Sequence, residues 1–251
     1  MALLETTVRA AGDIALGFFG TDYRSWRKEG GSPVTEADIA VNRFLCETLT
    51  AARPDYGWLS EESTDDDERL SRARVFVVDP IDGTIAFLKG RPHFTICAAV
   101  VVDGRAACGV VYNPASDELY AARAGHGATR NGTPIRVGGR DRLEGCHMLG
   151  NREVLTRAPW PPMDVHNRNS LAYRLALVAD GSADASVSLS AKRDWDLAAA
   201  DVILSEAGGT VSDLEGRPLR YNNAGAIQPS LVAANTKLHT EIIQLVARLR
   251  Q

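Results

Sequence analysis

The stretch Val75-Phe76-Val77-Val78-Asp79-Pro80-Ile81-Asp82-Gly83-Thr84 (residues 75–84) joins a short apolar run to two acidic residues. The apolar run predicts a strand that is buried on both faces and ends at Asp79-Pro80. Because Pro80 keeps Asp79 extended and the chain then turns, the two carboxylates and the Ile81 carbonyl can converge. We predict a helix over 85–89, whose first N–H groups would bind an anion. Together these groups favour a hard cation that holds a phosphate.

Three other acidic segments are candidates to join this site. They are Glu61-Glu62, Trp195-Asp196 at the start of a helix, and the segment from Lys28 through Ser32-Pro33-Val34-Thr35 to Asp38. Each one alone is typical of a solvated turn or a helix start, where acidic residues are common. If Asp38, Glu61, Asp79, Asp82 and Asp196 do converge, their mutual repulsion must raise their pKa values or recruit cations. Two or three Mg²⁺ ions would neutralise such a pocket and leave room for a phosphate dianion.

Hydrophobic periodicity predicts a mixed α+β fold around this segment. Helical patterns cover residues 2–19, 35–52, 170–179, 196–207 and 238–249, and Thr35 is a suitable N-cap for the second of them. A hairpin over 95–102 and 106–112 turns at Asp103-Gly104. Further strands are predicted over 119–122 and 129–137, with Asn131-Gly132 as another turn signal. Because hairpins and helices are interspersed, we expect layered α+β rather than strict βαβ alternation.

The composition excludes several classes of protein. The 251 residues carry a net charge of −4 and lack both an apolar run long enough for a membrane span and a signal peptide pattern. The absence of a basic block disfavours nucleic acid as a partner. Four cysteines without C-x-x-C spacing are typical of buried thiols in a reducing cytoplasm. The five histidines lack ligand spacing and are expected to lie at the surface or in ordinary hydrogen bonds: His93, His126, His147, His166 and His239.

These motifs, taken in order, resemble the inositol monophosphatase superfamily of Mg²⁺-dependent, lithium-sensitive phosphomonoesterases. The resemblance covers nearly the whole chain, up to Trp195-Asp196-x-Ala198-Ala199 and Glu206-Ala207-Gly208-Gly209. It implies a layered αβαβα sandwich with an N-terminal half over 1–145 that carries most metal ligands. The C-terminal half, 146–251, would carry Asp196 and substrate contacts. Homodimers are common in the family.

The resemblance also assigns roles to individual residues. It implies that Glu61, Asp79 and the Ile81 carbonyl hold a first metal ion. A second ion would be held by Asp79, Asp82 and Asp196, and a third, weaker one by Glu61 and water. A metal-activated water would attack the phosphate, oriented by Glu61 and by Thr84, whose hydroxyl Asp38 would fix. The implied substrate contacts are Asp82, Gly83, Thr84, Ser170 and Asp196.

The choice of substrate is a separate question. Family members that bind inositol typically carry a Glu where this chain has Leu189, and Gly-Thr or Gly-Ser where it has Asn169-Ser170. The spacing from Lys28 to Thr35 is more similar to the bacterial 3′(2′),5′-bisphosphate nucleotidase branch, and Lys192-Arg193 could neutralise a second phosphate. The hypothesis is therefore hydrolysis of adenosine 3′,5′-bisphosphate. The alternatives are an inositol-1-phosphate, histidinol-phosphate or other sugar-phosphate phosphatase, or a non-catalytic regulatory protein on the same scaffold.

Overall fold

The computed structural model describes residues 1–65 and 67–249, so residues 250 and 251 of the predicted C-terminal half lie outside the description. The helices are α1 (Ala2–Phe18), α2 (Glu36–Ala52), α3 (Thr84–Leu88), α4 (Arg152–Leu155), α5 (Leu171–Ala179), α6 (Asp194–Glu206) and α7 (Thr236–Leu249), with a 3₁₀ turn over Glu68–Ser71. The strands are β1 (Ser25–Arg27), β2 (Pro33–Thr35), β3 (Gly57–Ser60), β4 (Arg74–Asp82), β5 (Thr95–Val102), β6 (Arg105–Asn113), β7 (Glu118–Arg123), β8 (Ala128–Arg130), β9 (Thr133–Pro134), β10 (His147–Gly150), β11 (Asp164–His166), β12 (Ala185–Ser188), β13 (Lys192–Arg193), β14 (Gly209–Ser212), β15 (Ile227–Gln228) and β16 (Leu231–Asn235).

Two large sheets organise the fold. The first has the order β3-β4-β5-β6-β7-β8-β9, in which β3 and β4 are parallel and the remaining neighbours are antiparallel. The second has the order β11-β10-β12-β16-β14 and mixes parallel with antiparallel pairs. The first sheet draws on residues 57–134 and the second on residues 147–235, while the division of the chain at residue 145 stays a prediction.

Alternating side chains of the first sheet bind it to a helical layer on each face. Phe76 and Val78 of β4 pack with α1 and α2, whereas Val75 and Val77 belong to a core shared with α5, α6 and the second sheet. The other face of the second sheet packs against α7, where Leu238 is fully buried. Fully burying an aliphatic or Phe side chain contributes roughly 1.5–3 kcal/mol, so these cores hold the layers together. The expected layered αβαβα sandwich is confirmed.

The central helix α6 lies unusually close to the first sheet at Gly109. A Cβ on that glycine would lie 2.6 Å from the Ala199 carbonyl oxygen, so a side chain there would push the helix away. This contact sets the position of the α6 N-terminus, and therefore of Asp196, relative to β4 and β5. Among the residues that the structure describes, no helix is both long and apolar enough to cross a membrane.

Several element boundaries differ from the sequence predictions. Strand β4 continues through Pro80 to Asp82, because a register shift between Asp79 and Asp82 accommodates a residue that has no N–H to donate. The helix predicted over 85–89 begins one residue earlier, at Thr84, and ends at Leu88. The turn predicted at Asn131-Gly132 is confirmed, since both residues have positive φ, and it divides the segment predicted as strand over 129–137 into β8 and β9.

Candidate active site

Acidic side chains from four parts of the chain gather around the bulged end of β4. Asp79 is 1% exposed, and its pKa is raised well above its ordinary value by burial and by the negative charges of its neighbours. Those neighbours are Glu61 after β3, Asp82 at the end of β4, Asp196 in α6 and Asp38 in α2. The structure therefore brings together all five carboxylates that the sequence singled out.

Asp38 is tied to both sides of the site by hydrogen bonds. It is the third residue of α2 and forms a capping box with Thr35, whose backbone N–H donates to Asp38 Oδ2 at 2.8 Å. Burial raises the pKa of Asp38 to about 6, although the hydrogen bonds from Thr35 and Thr84 act in the opposite direction. The Thr84 hydroxyl lies 3.2 Å from Asp38 Oδ1 and 3.1 Å from the Ile81 carbonyl oxygen. This hydroxyl has one proton, so an ionised Asp38 competes for it with the Ile81 carbonyl.

Lys28 pairs with Glu61 and Glu62 at one side of this acidic group. Its ammonium lies 2.9 Å from Glu61 Oε1 and 2.5 Å from Glu62 Oε1. Burial acts to lower the pKa of Lys28, but hydrogen bonds and charge from Glu62 and Glu61 raise it overall. Burial also raises the pKa of Glu62 to about 7 in spite of Lys28. Within residues 1–65 and 67–249, no ion pair involves Asp38, Asp79, Asp82 or Asp196.

Asp82 is held by the start of α5. Its Oδ2 accepts hydrogen bonds of 2.7 Å from the Ser170 hydroxyl and from the Ala172 N–H, yet burial raises its pKa to about 6. Ser170 is fully buried, and its hydroxyl also caps α5 by accepting from the Tyr173 N–H at 2.9 Å. The structure therefore places Ser170 behind Asp82, where it positions the carboxylate, instead of at the cavity surface.

Gly83 links β4 to α3 at a point that only glycine fits. Its φ is +97°, and a Cβ would lie 2.9 Å from the His93 carbonyl oxygen and 3.0 Å from the Ser170 nitrogen. A side chain at this position would separate α3 from α5, and thereby separate Thr84 from Asp82. The backbone geometry of the predicted anion-binding turn thus depends on this residue.

Asp196 completes the group from the opposite layer. It is the third residue of α6, and its Oδ2 accepts a 2.9 Å hydrogen bond from the Arg193 N–H. Burial and the charge of Asp82 raise its pKa to about 7, although Lys192 acts to lower it. The helix begins two residues before the predicted start, which places Asp196 within the first turn, where the carboxylate also caps the helix.

A cavity of about 1070 Å³ opens from Asp82 and Asp196. Three cationic side chains line it, namely those of Arg152, Arg174 and Lys192. The expected partner Arg193 does not line it, since its guanidinium donates to the Gly225 carbonyl at 2.8 Å and lies over the Trp195 ring. The apolar part of the cavity wall consists of Val154, Leu155, Leu171, Val187 and Leu189.

The donor set fits hard divalent cations. Carboxylate and carbonyl oxygens are the ligands that Mg²⁺ uses, and no imidazole or thiolate belongs to the group. Burial is the main cause of the raised pKa values of Asp79, Asp82 and Asp196, and repulsion by neighbouring carboxylates adds to it for Asp79 and Asp196. Lys28 is paired with Glu61 and Glu62 only. Cations between the carboxylates would remove that repulsion.

Sequence reasoning missed two features of this site. It gave Lys28 no partner, although its ammonium contacts both members of the Glu61-Glu62 pair. It also overlooked Arg152, which lies in the short helix α4 that the hydrophobic pattern did not predict, and Arg174, because an arginine in a predicted helix is usually a solvated side chain. Only the packing of α4 and α5 around the cavity distinguishes these arginines from the others, so no local signal could have found them.

Comparison with known proteins gives a consistent result. Residues 2–251 match the inositol monophosphatase family. An inositol-1-monophosphatase of Mesorhizobium japonicum is 36% identical over 235 residues, which cover 88% of this chain and 85% of the relative. The 3′(2′),5′-bisphosphate nucleotidase CysQ of Aggregatibacter actinomycetemcomitans is 31% identical over 230 residues, 84% and 83% of the two chains. The crystal structure of extragenic suppressor protein suhB from Bartonella henselae matches with a TM-score of 0.85 at 28% identity, covering 98% of this chain and 97% of that one.

Proposed function

The chain belongs to the inositol monophosphatase family, and from this premise we propose that it is a Mg²⁺-dependent phosphomonoesterase that hydrolyses adenosine 3′,5′-bisphosphate to AMP and phosphate. The observation that carries the chemistry is the convergence of five carboxylates, two of which, Asp82 and Asp196, line a cavity that three cationic side chains also line. Metal dependence is a property of the family, whereas the identity of the ion, the number of ions and the substrate belong to the proposal. The proposal also includes a cytoplasmic location and a homodimer. Light scattering would measure the mass of the assembly in solution.

The proposed metal ligands are Glu61, the carboxylates of Asp79, Asp82 and Asp196, and the Ile81 carbonyl. When bound, Mg²⁺ supplies positive charge that stabilises the phosphoryl oxygens and the leaving alkoxide and acidifies water. The Gly83 and Thr84 N–H groups bind phosphate oxygens at the start of α3. Glu61 and Thr84 orient the attacking water, and Asp38 holds the Thr84 hydroxyl in position by accepting a hydrogen bond from it. The protein therefore contributes positioning and electrostatic stabilisation, with no covalent intermediate.

Thr84→Ala tests the positioning role separately from metal binding. Thr84 contributes a hydroxyl that contacts Asp38 and the Ile81 carbonyl, but it is not among the proposed metal ligands. We expect kcat to fall about 10²-fold, the usual cost of losing one positioned catalytic group, while the Mg²⁺ concentration for half-maximal activity stays within about threefold of wild type. A Mg²⁺ titration of initial rates measures both quantities, and Thr84→Ser should recover most of the rate. A variant with normal kcat that needs a much higher Mg²⁺ concentration for half-maximal activity would contradict this role.

The cavity supports a substrate with a second anionic group. Lys192 and Arg152 lie on different elements beside the space that opens from Asp82 and Asp196, and Arg174 lines the same space. Leu189 occupies the position at which inositol-binding family members typically carry a Glu, so a polyol hydroxyl would lose an acceptor there. An apolar wall beside cationic side chains instead suits a nucleoside that carries a further phosphate.

The deciding experiment is phosphate release from adenosine 3′,5′-bisphosphate and inositol 1-phosphate, each with and without Mg²⁺. We expect a strong preference for the nucleotide in kcat/KM, and a fall of about tenfold in that value for Lys192→Ala through a higher KM. Lys237→Ala, at an exposed position on α7, is the matched control and should match wild type. Release from adenosine 3′-monophosphate, which keeps the 3′-phosphate but lacks the 5′-phosphate, should be unaffected by Lys192→Ala.

Other outcomes identify the alternatives. Comparable turnover of both substrates would overturn the nucleotide preference and keep the phosphatase, and activity restricted to inositol 1-phosphate would replace the substrate with the one named by the Mesorhizobium relative. Histidinol phosphate and sugar phosphates complete the panel. Absence of Mg²⁺-dependent release from every ester would favour a regulatory protein on this scaffold.

A further inference from the structure

Two histidines and an aspartate lie together at the outer edge of the second sheet. His147 begins β10, whereas Asp164 and His166 lie in the edge strand β11, which runs parallel to it. His147 is the register partner of Asp164, and Leu149 is the partner of His166. Because side chains alternate between faces along a strand, these three side chains share one face. One ligand atom from each lies within 4.8 Å of the others.

The hydrogen bond of His147 prepares its ring to bind a metal. Its Nδ1 lies 3.0 Å from the Ser182 carbonyl oxygen. A carbonyl oxygen can only accept, so Nδ1 carries the hydrogen in this contact, and in the neutral ring Nε2 has the lone pair. Histidines that bind metals characteristically donate their second N–H to a backbone carbonyl in this manner, which fixes the tautomer and the orientation of the ring.

The remaining two side chains are already paired and accessible to solution. His166 Nε2 lies 2.8 Å from Asp164 Oδ1, and the two side chains are 44% and 68% exposed. The His147 and His166 rings meet edge to face with centroids 5.2 Å apart. Two ligand atoms bound to Zn²⁺ at about 2.0–2.1 Å in tetrahedral geometry lie about 3.3 Å apart. This separation falls between the 2.8 Å from His166 Nε2 to Asp164 Oδ1 and the 4.8 Å within which all three ligand atoms lie. Small rotations of exposed side chains therefore suffice.

We propose that His147, Asp164 and His166 form a binding site for a late first-row divalent metal, with Zn²⁺ the best match. Two imidazole nitrogens and one carboxylate oxygen suit Zn²⁺, and water would fill the fourth position. Mg²⁺ prefers oxygen ligands alone, so it would not compete. The site is separate from the carboxylate cluster, since it shares no residue with it, and it does not depend on the proposed function.

Binding at this site would join the edge strand to its neighbour. Among the described residues, strand β11 pairs only with β10, and the segment after His166 includes Asn167 and Asn169, which line the cavity. A metal that binds the folded protein alone stabilises it in proportion to the logarithm of its concentration over Kd. Zn²⁺ is therefore expected to raise the thermal midpoint of the protein. It is also expected to make the cavity wall that follows β11 more rigid.

The test is a Zn²⁺ titration by calorimetry with Mg²⁺ present in saturating excess, so that the carboxylate site is occupied. We expect one Zn²⁺ per chain and a higher thermal midpoint. Loss of one ligand in His147→Gln or His166→Gln should weaken binding at least about 100-fold, the upper end of the cost of losing even an outer contact of a metal site. His126→Gln, an exposed histidine elsewhere in the chain, is the matched control and should bind as wild type does.

Co²⁺ absorption gives an independent readout that does not rely on activity. A four-coordinate site with nitrogen ligands gives strong visible bands, whereas a six-coordinate oxygen site gives weak ones, and the strong bands should vanish in His166→Gln. Because His166 is exposed, this variant is expected to fold even if His147→Gln does not. Zn²⁺ binding that persists in both His166→Gln and Asp164→Asn, or no binding at about 100 μM Zn²⁺, a concentration above which protein sites for this metal are typically filled, would overturn the proposal.

Discussion

Asp79→Asn is expected to abolish Mg²⁺-dependent phosphate release, with kcat/KM reduced at least about 10³-fold at millimolar Mg²⁺. Asp79, like Asp38, is only 1% exposed, and the other four acids of the cluster all raise its pKa. The substitution keeps the shape of the side chain and removes one negative charge from the centre of the donor set. Since Asp79 is the proposed ligand shared by two ions, both would be bound more weakly. Initial rates over a wide range of Mg²⁺ concentrations measure the effect.

A second substitution separates loss of the site from a general effect on the core. Asp201→Asn changes a carboxylate in α6 that accepts from the Tyr221 hydroxyl at 2.6 Å and takes no part in the cluster. An amide oxygen can keep that hydrogen bond, so this variant should retain most of the wild-type rate. Near-normal turnover in Asp79→Asn, with the Asp201 control intact, would refute the assignment of Asp79 as a metal ligand.

Sequence reasoning was most successful where the signal is local. The apolar run before Asp79 predicted β4, and Thr35 predicted the N-terminus of α2, because pattern and capping act between residues close along the chain. The exact end of β4 was wrong, since the register shift around Pro80 depends on pairing with β5. The layer order followed from the family resemblance, not from periodicity.

Contacts between distant segments could not be predicted from local patterns. The convergence of Asp196 with Asp79 depends on the close packing of α6 on Gly109, a contact between layers. The expectation that Arg193 neutralises a second phosphate was wrong, because its guanidinium points away from the cavity and donates to the Gly225 carbonyl. Its neighbour Lys192 does line the cavity. The histidines lacked ligand spacing along the chain, yet the parallel pairing of β10 with β11 places His147 beside Asp164 and His166.

The metal-free protein is expected to become more stable as the pH falls from 8 to 6, contrary to the behaviour of proteins stabilised by ionised carboxylates. Burial raises the pKa of Asp38 and Asp82 to about 6 and of Glu62 and Asp196 to about 7. In the unfolded chain these groups have pKa values near 4. Between pH 4 and 7 the folded state therefore binds more protons, so the free energy of unfolding falls as the pH rises through this window and levels off above it.

The expected size of the effect comes from the two groups with a pKa of about 7. At about 1.4 kcal/mol per pKa unit, the four groups together contribute on the order of 3 kcal/mol between pH 8 and pH 6. For a chain of this length, that corresponds to a rise of roughly 5–10 °C in the thermal midpoint. His93 and His239 act in the opposite direction, because burial lowers their pKa values. Acidification therefore reduces the contribution of these neutral imidazoles to the stability of the folded protein. Thermal unfolding with a chelator present, at several pH values, measures the net change.

Asp196→Asn shows whether this pH dependence originates in the carboxylate cluster. The amide cannot ionise, so at pH 8 the metal-free variant should unfold at a higher temperature than wild type and depend less on pH. Addition of Mg²⁺ should reverse the order, because cations stabilise the ionised cluster of wild type and lower the pKa values of its carboxylates. The variant would thus be the more stable protein without metal and the inactive one with it. A wild-type thermal midpoint that rises from pH 6 to 8 without metal would show that ionisation of the carboxylates does not destabilise the folded protein. An equal Mg²⁺ response in both proteins would show that Asp196 does not bind the ion.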